Sequence, residues 1–280
     1  MSARATCWPA SARRGVAVWM VTLVSLAGML VSACGASPAT ETVLPARGTQ
    51  DARIVVRAAT SQTTESGEQR ITQSASCRAG EQLVGGGFST SDVFESAVFA
   101  LEDYPSAPNT WTVTASSISH FTLAAEAYCV PAAPVLAMRS VSATISGAGS
   151  VACPAGTVLL GGGFSGGTKP ADASRPTQNG WYAAVDGAGA QVYALCAGQR
   201  ASAGSLATAT FNSHSSSNGQ QPVGQHARCG AGEAATGGGF SGGGLVIGSQ
   251  RDAPEGAGWV VEGGGDGAIT IYAVWRHIGA

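Results

Sequence analysis

The sequence predicts an all-β protein in which three tandem antiparallel repeats form one pseudo-threefold domain. Three observations lead to this prediction. A cysteine- and glycine-rich stretch recurs three times at a constant interval. The segments around it are short and rich in β-branched and aromatic residues, and Gly, Pro, Asn and Ser clusters separate them. No window after the N-terminal region shows the period of a helix.

The recurring stretch reads CRAGEQLVGGGFS from Cys77, CPAGTVLLGGGFS from Cys153 and CGAGEAATGGGFS from Cys229, so the cysteines lie 76 residues apart both times. Each copy keeps the cysteine, an Ala-Gly pair and Gly-Gly-Gly-Phe-Ser. Glycine within a strand typically marks a bulge, a bend or a closely approaching backbone. We therefore expect an architectural role, with a bent strand where repeats meet and a Phe in the core.

Segments on both sides of this stretch are typical of strands. They are IVVRAAT (54–60), MRSVSAT (138–144) and SLATATF (205–211) upstream, and AEAYCV, VYALCA and IYAVWR at the end of each repeat. Between them each repeat has a proline turn and then Trp111, Trp181 or Trp259. We expect these tryptophans in the core, with sugar stacking as the alternative. Four or five strands per repeat are expected, with hairpin loops at 186–190 and 263–267.

The N-terminal region has the pattern of a targeting segment. Arginines precede an apolar run at 15–31, and Val31-Ser32-Ala33-Cys34 follows. This arrangement resembles the lipobox signal of bacterial lipoproteins. The resemblance implies that residues 1–33 are a signal peptide and that Cys34 receives the lipid and becomes the mature N-terminus.

Two alternatives remain open for this region: ordinary secretion with cleavage nearby, and an uncleaved membrane anchor, since the run is just long enough to span a bilayer. In every case the positive flank directs the rest of the chain out of the cytoplasm. Residues 34–52 are rich in Ala, Thr and Pro and predict a flexible tether. The β domain follows at 53–280, with repeats at 53–133, 134–200 and 201–280.

Aligning the repeats puts Cys129, Cys196 and Trp275 at one equivalent position. In an oxidising compartment this predicts the disulfides Cys77–Cys129 and Cys153–Cys196. Cys229 is then predicted to be a buried free thiol, because Trp275 stands where its partner would be. A zinc site is the alternative, but the sequence has no Cys-x-x-Cys, so no metal is expected.

Two motifs match catalytic patterns. Gly-x-Ser-x-Gly around Ser165 and Ser241 matches a hydrolase nucleophile elbow, and residues 161–166 match a dinucleotide-binding fingerprint. Both patterns need a helix that nothing in the sequence indicates, and the first belongs to a repeated stretch. We therefore expect no catalytic residue and no cofactor. A secreted serine hydrolase that uses Ser165 or Ser241 is the alternative.

The complete repeat resembles repeats of uncharacterised secreted bacterial proteins, over nearly all of the chain after residue 53. Cys-Pro-x-Gly leading to Gly-Phe, closed by a late cysteine and repeated three times, is also similar to the vitelline membrane outer layer protein family. That resemblance implies a β-prism with one sheet per repeat. The acidic positions that follow Gly-Phe in that family are occupied here by Ser165, Gly166 and Gly167.

Composition narrows the choice of partners. Only 11% of the residues are charged, the formal net charge is −2, and Lys169 is the single lysine, which argues against a nucleic-acid partner. We expect a non-enzymatic binding or structural protein on the extracytoplasmic face of the cell membrane. Membrane lipid is its expected partner through Cys34, together with an envelope glycan or protein. The variable segments between Gly-Gly-Gly-Phe-Ser and Trp are the expected place for a ligand site.

Overall fold

The computed structural model describes residues 54–63, 67–90, 98–132, 136–198, 206–213, 223–228, 235–242, 245–252, 258–265 and 267–275. Within these ranges every regular element is a β-strand, which confirms the all-β prediction. Nothing in the described ranges is a helix capable of crossing a membrane. The predicted signal peptide and tether, with Cys34, lie outside the described residues, as does Cys229.

Each repeat contributes six strands, more than the four or five that its sequence predicts. The first repeat contains β1 (Val55–Gln62), β2 (Gln69–Ser76), β3 (Glu81–Thr90), β4 (Phe99–Ala107), β5 (Thr110–Ser117) and β6 (Thr122–Pro131). The second contains β7 (Met138–Thr144), β8 (Gly147–Ala152), β9 (Val158–Ser165), β10 (Ala173–Pro176), β11 (Gly180–Val185) and β12 (Gln191–Ala197). The third contains β13 (Leu206–Ser213), β14 (Val223–Arg228), β15 (Ala235–Ser241), β16 (Leu245–Asp252), β17 (Gly258–Gly265) and β18 (Gly267–Trp275). Strands such as β8 are missed because their Gly, Ala and Ser residues resemble a turn.

The strands form three six-stranded antiparallel sheets, each shared by two repeats. Sheet 1 has the order β1-β6-β3-β16-β17-β14, sheet 2 has β2-β5-β4-β9-β12-β7, and sheet 3 has β13-β18-β15-β10-β11-β8. In each sheet, one repeat contributes its strands one, six and three in that order, and another repeat contributes its strands four, five and two. Strand three of the first repeat pairs with strand four of the second. The repeats therefore interlock in a pseudo-threefold ring, and the expectation of one sheet per repeat was wrong.

The same exchange corrects the predicted hairpin loops. β11 pairs with β8 and β10 in sheet 3, whereas β12 pairs with β7 and β9 in sheet 2. Residues 186–190 therefore connect two sheets. The connection between β17 and β18 also joins two sheets, and β17 continues through three of the predicted loop residues. Adjacent strands in the sequence can look like a hairpin even when each finds its partners elsewhere.

The sheets share one hydrophobic core, and aromatic residues of the repeat occupy it. Trp111, Trp181 and Trp259 are at most 1% exposed, which confirms the core prediction and removes these indoles as sugar-stacking platforms. The Phe residues of Gly-Gly-Gly-Phe-Ser are also buried; they are Phe88, Phe164 and Phe240.

The first glycines of the three triplets, Gly85, Gly161 and Gly237, lie together where β3, β9 and β15 meet. A Cβ built on Gly161 would lie 3.9 and 3.8 Å from the Cα atoms of the other two. A Cβ built on Gly85 would lie 1.8 Å from the Thr236 carbonyl oxygen. The pairing register shifts immediately before each glycine, so a β-bulge precedes it. The prediction of a distorted glycine strand at the junction of repeats is therefore confirmed.

The second glycine of each triplet lies against the tryptophan of its own repeat. A Cβ on Gly162 would lie 2.5 Å from the Trp181 ring. In the other two repeats, a Cβ on Gly86 or Gly238 would lie 2.3 Å from the ring of Trp111 or Trp259, respectively. The third glycine meets the neighbouring repeat instead. A Cβ on Gly163 would lie 1.8 Å from the Asp103 carbonyl oxygen. The three glycines of one triplet therefore face three different neighbours: the other glycine strands, the indole of the same repeat and the backbone of another repeat.

Both predicted disulfides are present. Cys77–Cys129 and Cys153–Cys196 have Cα–Cα distances of 5.7 and 5.8 Å and span 52 and 43 residues. Loops of that length correspond to roughly 4 kcal/mol each in the chain-entropy description of cross-links. In the third repeat Trp275 pairs with Ala235, and in the first repeat Cys129 pairs with the equivalent residue, Leu83. Trp275 therefore has the position of the closing cysteine. Because Cys229 lies outside the described residues, its reduced state stays a prediction.

Substituting each glycine of the β9 triplet by alanine separates these roles. Gly162→Ala and Gly163→Ala should lower the free energy of unfolding by about 1–3 kcal/mol, because their Cβ atoms would overlap an indole ring or a backbone carbonyl. Gly161→Ala is the matched control, since its Cβ meets ordinary van der Waals distances. Denaturant unfolding measures all three variants. Equal losses at the three positions would contradict the assigned roles.

Candidate binding surface

The fold leaves a gap on the outer face of sheets 2 and 3, at the junction between two repeats. The third glycine of the triplet lies there, between strand four of one repeat and strand six of another. Neighbouring strands are about 4.8 Å apart, so side chains two strands apart normally have a third side chain between them. Because glycine has none, the residues on either side can meet above it. We call such a place a notch.

In sheet 2 the gap is bordered by two tyrosines, and we call it the tyrosine notch. Gly163 pairs with Tyr193 and abuts the backbone of Tyr104. The two rings stack across the glycine with their centroids 4.9 Å apart and an interplanar angle of 29°. The hydroxyl of Tyr193 lies 3.1 Å from Ser165 Oγ and donates to Gln191 Oε1 at 3.1 Å. Both tyrosines are half-buried, so part of the pair is accessible to solvent.

Burial raises the pKa of Tyr104, and the negative charge of Glu102 raises it further. The Tyr104 hydroxyl is therefore protonated throughout the neutral range and can donate a hydrogen bond. This favours recognition of a hydroxyl or carbonyl oxygen on a ligand over proton transfer.

A ladder of hydroxyl groups extends from the tyrosine notch across β4, β5 and β2. Its central member, Thr112, lies 2.6 Å from Ser106 Oγ and 2.7 Å from Ser74 Oγ. The next rung joins Thr72 and Thr114 at 3.0 Å, and the opposite end joins Ser76 and Thr110 at 2.9 Å. The outer face of sheet 2 thus carries a row of hydroxyl groups across β4, β5 and β2.

Two neighbouring carboxylates on β4 lie on opposite faces of sheet 2. Glu102 is on the outer face, where it accepts from Thr114 Oγ1 at 2.6 Å and from the Gly166 amide at 3.1 Å. The second bond joins repeat 1 to repeat 2. Asp103 is on the inner face and only 1% exposed. An acid–base pair needs both carboxylates in one cleft, so Glu102 and Asp103 do not form one.

Asp103 has a structural partner in the core. The indole N–H of Trp111 donates to Asp103 Oδ1 at 2.5 Å. In the second repeat Ser174 takes this role, accepting from Trp181 Nε1 at 2.9 Å. A buried indole N–H needs an acceptor. Each of the two repeats supplies this acceptor from its strand four, but the residue type differs.

In sheet 3 the gap contains an arginine, and we call it the arginine notch. Arg175 lies on β10, at the position that Tyr104 has in sheet 2. Its guanidinium carbon is 4.7 Å from the ring centroid of Tyr182, on the adjacent strand β11. The same carbon is 5.8 Å from the ring centroid of Tyr272, which pairs with Gly239 on the far side of the gap. Arg175 is therefore flanked by two aromatic rings on the outer face.

The serines of the elbow motif have tyrosine partners. Ser165 Oγ lies 3.1 Å from Tyr193 Oη, and Ser241 Oγ lies 3.2 Å from Tyr272 Oη. Residues 166–172 connect β9 directly to β10 without the helix that a nucleophile elbow requires. The dinucleotide fingerprint lacks its helix for the same reason, and Asp186 forms an ion pair with Lys169.

One cluster of potential metal ligands occurs in the described ranges: Cys77, Glu81 and Cys129. Its two sulfur atoms are bonded to each other, so they are not available as thiolate ligands. Glu81 has its own partners. The guanidinium of Arg57 and the Arg78 amide both donate to it, and they lower the pKa of Glu81 to about 2. The residues around the Cys77–Cys129 disulfide therefore have a structural role.

Tyr104 and Arg175 come from the variable segments that were predicted to be ligand-carrying loops. Each segment instead contains strand four of its repeat, so these segments are not simply loops, and their role in ligand binding stays a prediction. The alternation of Tyr272 with buried Ile271 and Ala273 in β18 was visible in the sequence. The pairing of residues across the glycine was not, because it depends on contacts between repeats.

Comparison with known proteins found no match: no family model fits the chain, and no curated protein is significantly similar to it. The class of the protein therefore rests on its own fold. Its described residues form an all-β module of three interlocked repeats with two disulfides, and side-chain clusters lie over the third glycine of the triplet in sheets 2 and 3.

The buried indole bond can be tested with a substitution taken from the second repeat. Asp103→Ala should lower the free energy of unfolding by about 1–3 kcal/mol, because it leaves the Trp111 N–H without its acceptor. Asp103→Ser should lose less, since Ser174 performs this role for Trp181. Thermal and denaturant unfolding compare the two variants. If serine is no better than alanine, the hydrogen bond does not stabilise the core as described.

Proposed function

We propose that this protein is a lipid-anchored, non-enzymatic binding module that recognises a glycan of the cell envelope through the outer faces of its sheets. The observation that carries the proposal is the tyrosine notch. Two aromatic rings from different repeats meet over Gly163, beside a face of hydroxyl groups. Aromatic rings with neighbouring hydroxyl and amide groups provide the stacking and hydrogen bonding that neutral sugars require.

The repeated scaffold supports this proposal. The glycine triplet is the same in the three repeats, whereas the side chains beside its third glycine differ between sheets. Constant backbone with variable surface residues is a common arrangement in proteins that bind ligands on a rigid scaffold. Ser165 and Ser241 each contact a tyrosine hydroxyl, whereas a serine nucleophile needs a general base such as an imidazole at that place, and this favours binding over the serine hydrolase alternative.

The lipid anchor and the extracytoplasmic location rest on the sequence around Cys34. Two disulfides agree with an oxidising compartment. A tether between the lipid and the first strand would leave the outer faces of the sheets free to reach glycan near the membrane.

The binding role predicts a loss of glycan affinity when the tyrosine notch is altered. Tyr193→Ala should weaken binding about tenfold or more on an envelope-glycan array and in calorimetry with the best array ligand. Tyr193→Phe keeps the ring and should retain most of the affinity. Ile118→Ala, at an exposed site on the β5–β6 connection, controls for nonspecific effects. Unchanged affinity of Tyr193→Ala, or no glycan bound by the native protein, would contradict this role.

Lipid attachment predicts that Cys34→Ala abolishes incorporation of a labelled fatty acid and releases the protein from the membrane fraction. The reason is that only the Cys34 thiol can form the thioether that the lipobox directs. Metabolic labelling and mass spectrometry of the mature N-terminus measure both effects. If the variant is still labelled, or still cut after Ala33, the lipoprotein interpretation is wrong.

A further inference from the structure

We propose that the arginine notch binds a carboxylate or phosphate group of an acidic glycan, with Arg175 as the residue that contacts the anion. This inference rests on the proposed glycan-binding function and names the chemical class of the ligand. Its basis is one guanidinium that two aromatic rings position on an otherwise neutral face of sheet 3.

The rings hold Arg175 without consuming its hydrogen-bond donors. Tyr182 and Tyr272 contact the guanidinium through their ring faces, at 4.7 and 5.8 Å from the ring centroids. Such contacts favour the positive charge but leave the N–H groups free to donate in the plane of the guanidinium. Among the described residues Arg175 has no ion-pair or hydrogen-bond acceptor. Its planar donors match the two oxygens of a carboxylate or phosphate.

The surroundings of Arg175 add neutral donors and leave room for a ligand. Gly239, beside it in the sheet, has no side chain, and Ser150 is opposite Tyr182 on the neighbouring strand. The hydroxyls of Ser241 and Tyr272 lie 3.2 Å apart, and either one can donate to a bound oxygen. An anion could thus receive a bidentate contact from Arg175 while a sugar ring stacks beside it.

Comparison with sheet 2 shows that the charge is a particular feature of this notch. At the position of Arg175, sheet 2 has Tyr104, and Glu102 is close enough to raise the pKa of that tyrosine. The tyrosine notch therefore carries negative charge nearby, whereas the arginine notch carries positive charge. Two notches of one scaffold would select neutral and acidic parts of a glycan, respectively.

An acidic glycan fits these observations better than an anionic membrane surface. Attraction to anionic lipids depends on clusters of several basic residues, each contributing modestly. The arginine notch has one arginine, and the whole chain has a formal net charge of −2. Recognition by a single, oriented guanidinium with aromatic neighbours is suited to one charged group on a ring-shaped ligand.

The experiment measures binding of the native full chain to pairs of oligosaccharides that differ only in charge. The principal pair is trigalacturonate and its methyl ester, and an array of uronate, sialylated, sulfated and phosphorylated glycans extends it. Inorganic phosphate serves as a competitor. Vesicles of equal parts phosphatidylglycerol and phosphatidylcholine test the membrane as a source of the anion. Three variants are compared: Arg175→Lys, Arg175→Gln and Arg175→Tyr, the last of which copies the residue of sheet 2.

The proposal expects the native protein to bind at least one acidic glycan about tenfold or more tightly than its neutral partner, and to bind it less tightly as salt increases. Arg175→Gln and Arg175→Tyr should remove this preference, because neither side chain carries the positive charge that the acidic group requires. Arg175→Lys should retain only part of it, because lysine lacks the planar donors.

Three results would overturn the proposal: equal affinity for acidic and neutral partners, an acidic preference that survives in Arg175→Gln, and Arg175-dependent binding to vesicles without binding to acidic glycans. Equal affinity would leave the glycan-binding function intact. Absence of binding to every glycan would overturn both proposals together. Circular dichroism and unfolding midpoints of the variants exclude misfolding as the cause of any loss.

Discussion

The fold depends on the close approach of three glycine strands at the centre of the domain. β3, β9 and β15 come so near one another that a Cβ on Gly85 would overlap the Thr236 carbonyl. A side chain larger than hydrogen at Gly85 would therefore force β3 and β15 apart, whereas the Cβ of an alanine at Gly161 would fit. The approach also explains the spacing within the triplet, since each successive glycine faces a different neighbour: the adjacent glycine strands, the indole of the same repeat, and a backbone from another repeat.

The interlocking of the repeats follows from this convergence, and it makes the stability of every sheet depend on two repeats. Because every sheet takes strands from two repeats, no repeat completes a sheet by itself. Each disulfide joins the connection between strands two and three of a repeat to the closing strand of that repeat, whereas bonds such as that between Glu102 and the Gly166 amide join one repeat to the next. Covalent links therefore act within repeats and polar contacts act between them.

Pseudo-symmetry allows one position to serve different purposes. The acceptor for the buried indole is a carboxylate at Asp103 and a hydroxyl at Ser174, with the same backbone around each. On the outer face, the residue that follows is Tyr104 in one sheet and Arg175 in another. The internal residue is constrained by the need to satisfy a buried N–H, whereas the external residue is free to vary in charge. This freedom is what makes the outer notches suitable for recognition.

The sequence by itself determined the all-β class, the three repeats, the buried tryptophans and both disulfides, because these depend on residue spacing along the chain. Alternation of apolar and polar residues identifies a strand, and equal spacing of cysteines identifies equivalent positions. Only the tertiary structure decided which strands pair, since a strand's partners are chosen by packing between repeats. The exchange of strands turned two expected hairpins into connections between sheets. It also brought Tyr104 to Tyr193 and Arg175 to Tyr272, residues of different repeats that no local pattern could have associated.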